Sequence, residues 1–137
     1  MKITRECDYA IRIILMLGSL DDDRVVDAGH ISEAQCIPRQ FTLKILRKLL
    51  YKGYVRSVKG AHGGYGLGVD AAELSLYDVV TAIEGDMGIN ECFACGYKCY
   101  RVECVDDCVV HSRLATVNDI IKAELDKIKF ASLIGVK

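Results

Sequence analysis

The pattern that most constrains the fold is an amphipathic helix that stops at a glycine and leads directly into a glycine-rich hairpin. Apolar side chains recur at helical spacing from Pro38 to about Lys52. The predicted buried positions are Phe41, Ile45, Leu46, Leu49 and Leu50. Pro38 suits the first helical position, and Gly53 suits the residue after the helix. Strands are predicted over 54–58 and 65–67, because the glycines between them allow the positive φ that a turn needs.

Further helices are predicted on both sides of this unit. One covers 4–20 with Thr4 as its N-cap, and a second covers 27–35 with Asp27 as its cap. A third covers 74–84, and the longest runs from His111 to about Leu133. Two helices joined by a short turn, the second of them basic, are typical of a helix-turn-helix, and the hairpin that follows is a wing. The predicted fold is therefore mainly α with a small β-wing.

The chain divides into three predicted segments. Residues 1–85 form a winged helix-turn-helix DNA-binding domain, 86–110 a cysteine-rich loop, and 111–137 a dimerisation helix with a C-terminal tail. The apolar stripe of the long helix is Leu114, Val117, Ile121, Leu125 and Ile128. A small chain has little core to cover such a narrow stripe, so a partner helix and a homodimer are expected. The alternative is that the helix packs on its own domain.

The charge is distributed very unevenly along the chain. The formal net charge is −1, from 18 basic and 19 acidic residues. Between Ala34 and Val69, however, there are seven basic residues and no acidic one, so this basic window is set against an acidic remainder. A solvated surface is one explanation of such a run. A one-sided block is also what neutralising DNA phosphates requires, so the near-zero mean does not argue against nucleic acid.

Five of the seven cysteines fall in one short loop that a histidine follows. They are Cys92, Cys95, Cys99, Cys104 and Cys108, with His111 next. Thiolates favour iron–sulfur clusters, zinc or copper(I). The uneven spacings suit an iron–sulfur cluster, 2Fe–2S or 4Fe–4S, while a zinc site and a thiol–disulfide switch remain alternatives. Cys7 and Cys36 lie in the helical part and are expected to be small buried residues.

Several other classes of protein are excluded by composition and motifs. The content of 51% hydrophobic and 27% charged residues is that of a globular protein. No apolar run approaches the roughly 18 residues of a membrane span, and the N-terminus lacks a secretory signal, so a cytoplasmic protein is expected. The odd cysteine count argues against a disulfide framework. A thiol oxidoreductase is disfavoured because Cys92 and Cys95 follow no strand, and the chain is not expected to be an enzyme.

Three stretches together resemble one family of bacterial winged-helix regulators. They are DYAIR at 8–12, GYVRSVKGAHGGYGL at 53–67 and DVVTAIEG at 78–85. The family includes the iron–sulfur-assembly regulator IscR, the nitric-oxide sensor NsrR and the cysteine-metabolism repressor CymR. The second stretch is highly specific, since the wing of that family reads much the same way. The similarity extends over essentially the whole chain and favours an iron–sulfur cluster over zinc.

The resemblance also implies a set of cluster ligands. In cluster-binding relatives three loop cysteines hold the metal, which by position implies Cys92, Cys99 and Cys108 here. The fourth ligand varies in the family, and corresponds either to His111 or to the partner subunit's Asp8. This sequence departs from the family pattern in having two further loop cysteines. These alternates are Cys95 and Cys104.

A DNA contact surface is predicted on the recognition helix and the wing. Exposed positions near the N-terminus of a recognition helix face the major groove, where Arg and Gln side chains read base edges. The predicted base-reading positions are Arg39, Gln40, Thr42 and Lys44. Basic residues farther along the helix and on the wing are placed for phosphates or the minor groove. These are Arg47, Lys48, Arg56, Lys59 and His62.

The resulting functional hypothesis is a homodimeric DNA-binding transcription regulator controlled by an iron–sulfur cluster. The cluster would sense redox state, nitric oxide, oxygen or iron supply, and its loss or change would alter affinity for a double-stranded DNA operator. The alternative is a regulator of the same fold without a cluster, which uses zinc or a thiol switch, or binds a partner protein or metabolite. The operator sequence, and whether the protein represses or activates, stay open.

Overall fold

The fold is described from a computed structural model of the chain, which describes residues 2–136. Over that range it has five α-helices and one two-stranded antiparallel sheet, which confirms the predicted mainly α fold with a small β-wing. The helices are α1 Arg5–Gly18, α2 Ala28–Gln35, α3 Arg39–Tyr51, α4 Leu76–Glu84 and α5 Val109–Lys127. The strands are β1 Val55–Val58 and β2 Gly64–Leu67. Short 3₁₀ turns occur at Glu91–Phe93, Val105–Asp107 and Phe130–Ser132.

Side-chain caps fix where three of the helices begin. The Thr4 hydroxyl accepts a hydrogen bond from the Cys7 backbone N–H at the start of α1. The Asp27 carboxylate accepts from the His30 N–H at the start of α2, as the sequence predicts. Ser75 forms a reciprocal capping box at the start of α4. Each cap satisfies backbone donors that the first helical turn leaves unpaired, so these starts are encoded locally.

The turn between α2 and α3 differs in detail from the prediction. Pro38 is the N-cap of α3 with an extended backbone, not its first helical residue. Cys36 adopts a left-handed conformation, with φ 52° and ψ 44°, and reverses the chain after α2. Gly53 follows α3 with φ 76°, which confirms its predicted role as the residue after the helix.

The core lies where α1, α3 and α4 pack together, and α2 and the wing close its edge. α1 contributes the buried residues Cys7, Ala10, Ile13, Ile14 and Leu17. In α3 the prediction holds for Ile45, Leu46 and Leu49, which are buried. It is wrong for Phe41, which is 40% exposed and packs edge-to-face against Tyr9, because the neighbouring position 42 is the one that turns inward.

The wing is tied to the domain by a third segment. β1 and β2 pair from Val55↔Leu67 to Val58↔Gly64. Val26 forms an isolated bridge with Tyr65, in which each backbone N–H donates to the other residue's carbonyl at 3.0 and 2.7 Å. The hairpin is therefore held against the chain that leads into α2, and its tip alone projects.

The long helix ends earlier than its apolar pattern predicts. The expected range was His111 to about Leu133, but α5 ends at Lys127, and Ile128 takes an extended conformation. The chain then folds back onto the start of α4: the Leu76 N–H donates to the Ile128 carbonyl, and the Phe130 N–H donates to the Leu74 carbonyl, both at 2.9 Å. Phe130 is fully buried, so the C-terminal tail completes the core of the winged domain.

Most of the apolar surface of α5 is not covered within the protomer. Asn118 is its buried residue, and the Asn118 side-chain oxygen accepts from the Ile89 N–H at 3.2 Å. Of the predicted stripe, Leu114, Ile121 and Leu125 are half-buried, whereas Val117 and Ile128 are exposed. Among residues 2–136 no helix is both long enough and apolar enough to cross a membrane.

Replacing Phe130 by alanine is expected to destabilise the whole winged domain. The change empties a fully buried aromatic site, for which a loss of about 3–5 kcal/mol in the free energy of unfolding is expected. Urea denaturation at fixed protein concentration measures this loss. Tyr100→Ala, which truncates a fully exposed ring, serves as the control and should leave the midpoint unchanged. Equal midpoints for the two variants would contradict the tail's role in the core.

Candidate nucleic-acid interface and cysteine loop

One face of α3 presents four of the predicted DNA-contact residues to solvent. Arg39, Gln40, Lys44 and Arg47 are all exposed and lie on the side of α3 away from the core. The N-terminus of α3 follows the turn from α2 directly, which is the arrangement of a helix-turn-helix. These four side chains thus lie at the surface on one side of α3.

Thr42 is not part of this exposed face. Its side chain is fully buried, and its hydroxyl donates to the Pro38 carbonyl at 3.4 Å. Thr42 therefore belongs to the core of the domain, and the prediction that it contacts DNA is wrong. Since α3 begins at Arg39, positions 42, 45, 46 and 49 form its inward face.

The tip of the wing exposes the other predicted contacts. Lys59 and His62 are exposed in the turn between the strands, where Gly60 has φ 115° and the Gly63 N–H donates to the Gly60 carbonyl at 3.1 Å. Arg56 is different, because its guanidinium donates to the Asp22 carbonyl at 3.0 Å and is half-buried. Arg56 thus braces the wing while keeping part of its charge at the surface.

A carboxylate from α1 reaches two lysines of α3. The Glu6 Oε1 atom lies 2.7 Å from Lys48 Nζ, and the Oε2 atom lies 3.2 Å from Lys44 Nζ. Partial burial alone would raise the pKa of Glu6, but the ammonium groups of Lys48 and Lys44 beside it hold that pKa below its ordinary value. The sequence carried no sign of this contact, because Glu6 and the two lysines are far apart along the chain.

The two ends of the cysteine loop meet at Cys92 and His111. The Cys92 Sγ atom lies 3.2 Å from His111 Nδ1, within hydrogen-bonding distance. The His111 ring stacks on the Phe93 ring, with 4.6 Å between the ring centroids. The Asn90 side chain caps the short 3₁₀ turn that carries Cys92. This local packing holds a thiol and an imidazole together at the first turn of α5.

The other loop cysteines differ in exposure and surroundings. Cys108 is half-buried at the N-cap of α5. Cys99 is also half-buried, and hydrogen bonds from the Arg101 and Val102 backbone N–H groups lower its pKa. Cys95 and Cys104 are exposed. The half-buried cysteines are thus the same three that the family resemblance implied as ligands.

The loop does not form a preassembled metal site. Within residues 2–136 no three His, Cys, Asp or Glu side chains converge in a way that would hold a metal ion. Asp8, the other candidate ligand, is exposed on α1 and lies 3.5 Å from Arg12 in an ion pair. The donor types are those that a soft metal prefers, but of the candidate ligands within the described chain only Cys92 and His111 are in contact, so a site with more ligands would require the loop to rearrange.

The two cysteines outside the loop have opposite environments. Cys7 is fully buried, as predicted, and burial with help from nearby carboxylates raises its pKa to about 11. Cys36 is exposed in the turn that precedes α3, so the prediction that it is buried is wrong. The left-handed backbone conformation of Cys36 points its side chain outward. The residue type alone does not indicate this conformation.

Comparisons with known proteins agree with this architecture. Residues 3–135 match the Rrf2 family model, described as an iron-dependent transcriptional regulator. The HTH-type transcriptional regulator NsrR of Bacillus subtilis is 26% identical over 144 residues, which cover 97% of this chain and 99% of that protein. The structure of CymR, the global cysteine regulator of B. subtilis, superposes with a TM-score of 0.75 at 20% identity, over 97% of this chain and 95% of that one. The structure of IscR from T. potens gives 0.73 at 22% identity, over 97% and 85%.

Proposed function

Because the chain belongs to the Rrf2 family of transcriptional regulators, we propose that it is a homodimeric cytoplasmic regulator whose affinity for operator DNA depends on an iron–sulfur cluster in the cysteine loop. The winged-helix fold and the role in transcription regulation follow from the family. The family is not enzymatic, which confirms the prediction that the chain is not an enzyme. The dimer, the cluster and the sensed signal are the proposed part.

The observation that carries the cluster proposal is that two of the loop's thiols and one imidazole lie at the start of α5. Cys92 and His111 lie 3.2 Å apart, and Cys108 precedes the first residue of the same helix. Thiolate and imidazole are ligands that iron accepts. We assign Cys92, Cys99 and Cys108 as the cluster ligands, with Cys95 and Cys104 as surplus thiols.

The fourth ligand is proposed to be His111 or the partner subunit's Asp8. The contact with Cys92 favours His111, since its imidazole already lies beside one proposed ligand. Asp8 is exposed on α1 and is therefore accessible to another protomer. A bound cluster would supply a centre that reacts with oxidants or nitric oxide, and a non-thiolate ligand would make it easier to disturb.

The elements around the loop provide a route from the thiols to DNA. Cys108 caps α5, α5 packs on α4, and α4 packs on both α1 and α3. A change in the conformation of the loop would shift the first turn of α5 and, through α4, the position of α3. Such small shifts between packed helices are a known basis of switching.

DNA binding is assigned to the exposed face of α3 together with the tip of the wing. Arg39 and Gln40 would read base edges, and Lys44 and Arg47 flank them. The wing would place Lys59 and His62 against the minor groove or phosphates. Arg56 and Lys48 would contact the backbone.

The homodimer is assigned to α5 because its apolar face lacks a cover in the protomer. Val109, Val110, Val117 and Ile120 are all exposed along one helix, and Ile120 is 57% exposed. Exposed apolar patches of this kind mark association surfaces. Pairing of α5 with its copy would bury them, and would present two recognition helices to two half-sites.

The cluster assignment predicts a coloured protein whose colour depends on specific cysteines. Protein purified without oxygen should be brown, with visible absorption and about one cluster per subunit by iron and sulfide analysis. Cys108→Ser should lose the absorption, whereas Cys95→Ser, a matched change at an exposed cysteine, should keep it. A colourless protein with stoichiometric zinc would reject the cluster and leave the DNA-binding role intact; thiol oxidation without metal would favour the thiol switch.

The wing assignment predicts a change in salt dependence. Lys59→Ala should weaken binding to duplex DNA and flatten the plot of log affinity against log salt by about 0.9 if one phosphate contact is lost. Fluorescence anisotropy over a salt series measures both quantities. Lys127→Ala, which removes the same charge at the end of α5, is the control. An unchanged slope for Lys59→Ala would argue against the wing contact.

The dimer assignment predicts dissociation when a charge is placed on α5. Ile120→Glu should shift the protein to monomers at micromolar concentration, because a carboxylate would be buried in the apolar interface. Sedimentation velocity measures the shift. Val136→Glu replaces another exposed aliphatic residue outside α5 and should leave the dimer intact. If the Ile120→Glu variant remains dimeric, the dimer interface does not include this face of α5.

A further inference from the structure

The carboxylate of Glu6 connects the first turn of α1 to the DNA-facing helix. Each of its oxygens engages a different lysine, Lys48 at 2.7 Å and Lys44 at 3.2 Å. The two lysines are four residues apart on α3, so their side chains lie on the same side of the helix. One carboxylate thus spans two ammonium groups of the predicted DNA-binding surface.

The surroundings hold Glu6 in this position. Its side chain is only 23% exposed, which limits screening by solvent and salt. The Thr4 hydroxyl holds the first turn of α1 in place, because it accepts a hydrogen bond from the Cys7 N–H and donates one to the Glu84 carboxylate. Lys48 also donates to the Ile83 carbonyl at 3.3 Å. The contact is therefore part of the packing between α1, α3 and α4.

Glu6 changes the electrostatics of the basic window. Between Ala34 and Val69 the sequence has no acidic residue, yet the fold brings one in from α1. Among residues 2–136, the ion pairs made by this window are those of Lys44 and Lys48, both with Glu6. Lys44 remains 52% exposed beside Arg39 and Gln40, so its ammonium is also within reach of a ligand.

We propose that Glu6 is an intramolecular substitute for a DNA phosphate, which occupies Lys44 and Lys48 in the free protein and competes with the DNA backbone for them. A carboxylate paired with two ammonium groups offers the same charge-assisted contacts as a phosphate. DNA has to displace Glu6 before these lysines contribute. Non-specific binding, which depends on phosphate contacts, is weakened, while base reading by Arg39 and Gln40 is untouched. Glu6 thereby lowers the phosphate-dependent part of the affinity for DNA.

This inference rests on the proposed DNA interface, and non-specific DNA tests it without knowledge of the operator. The probe is a mixed-sequence duplex of about 30 base pairs, bound by the full-length chain over a salt series. Glu6→Gln keeps the size of the side chain and removes its charge. It should bind several-fold more tightly, with a slope steeper by about 0.9 for each lysine released. Weaker binding would show that Glu6 holds the lysines in place for DNA, and either weaker or unchanged binding would overturn the proposal.

Two further variants separate competition from a general effect of charge. Glu73→Gln changes the net charge equally in the turn before α4 and should leave the affinity unchanged. In a Lys44→Ala, Lys48→Ala background, Glu6→Gln should give no gain, because the lysines it would release are gone. A gain that persists there would overturn the proposal. Urea denaturation of each variant confirms that it is folded.

Binding of the duplex by the wild-type protein separates a failure of the proposed DNA-binding function from a failure of the proposed role of Glu6. If the wild type does not bind the duplex at low salt, the proposed DNA-binding function fails. If the wild type binds and Glu6→Gln has the same affinity and salt slope, the DNA-binding function stands and the role of Glu6 is rejected.

Discussion

The burial of α1 between α3 and α4 is the packing on which the rest of the structure depends. Its inward face is fully buried from Cys7 to Leu17, so α1 fixes how the recognition helix and α4 lie relative to each other. This packing also fixes where the acidic residues of its first turn, Glu6 and Asp8, lie at the surface. Glu6 meets the lysines of α3, while Asp8 stays exposed for a partner. One helix thus links the core, the DNA face and the proposed cluster.

The cysteine loop and α5 form the second functional unit, and its chemistry is concentrated at one helix end. Cys108 is the N-cap of α5 and His111 lies in its first turn, and Cys92 contacts His111 from the other end of the loop. Because α5 packs on α4, any rearrangement at these thiols acts on an element that also contacts α3. The same helix carries the exposed apolar surface proposed for dimerisation. The proposed cluster site and the proposed dimer surface therefore share one helix.

Local signals account for the parts of the fold and site that the sequence predicted well. Caps, a glycine after α3 and a glycine-rich turn defined the helix-turn-helix and the wing, because those features act over a few residues. The errors came from interactions between distant segments. Phe41 was predicted to be buried and is exposed, and Thr42 was predicted to be exposed and is buried, because tertiary packing decides which face of α3 is inward. The end of α5 was missed because the Ile128 carbonyl accepts a hydrogen bond from the start of α4. The Glu6 contact was missed because Glu6 and the lysines are far apart in the sequence and no local pattern connects them.

The return of the tail to α4 has a consequence for the order in which the protein matures. Phe130 follows the cysteine loop and α5 in the chain, yet it fills the core of a domain whose other buried residues precede it. A nascent chain that has not yet been elongated to Phe130 lacks this residue. The winged domain therefore cannot finish packing before the cysteine loop and α5 have been made. Truncated products of interrupted translation would carry the recognition helix on an incomplete core. A chain with a complete core would therefore always carry the cysteine loop as well.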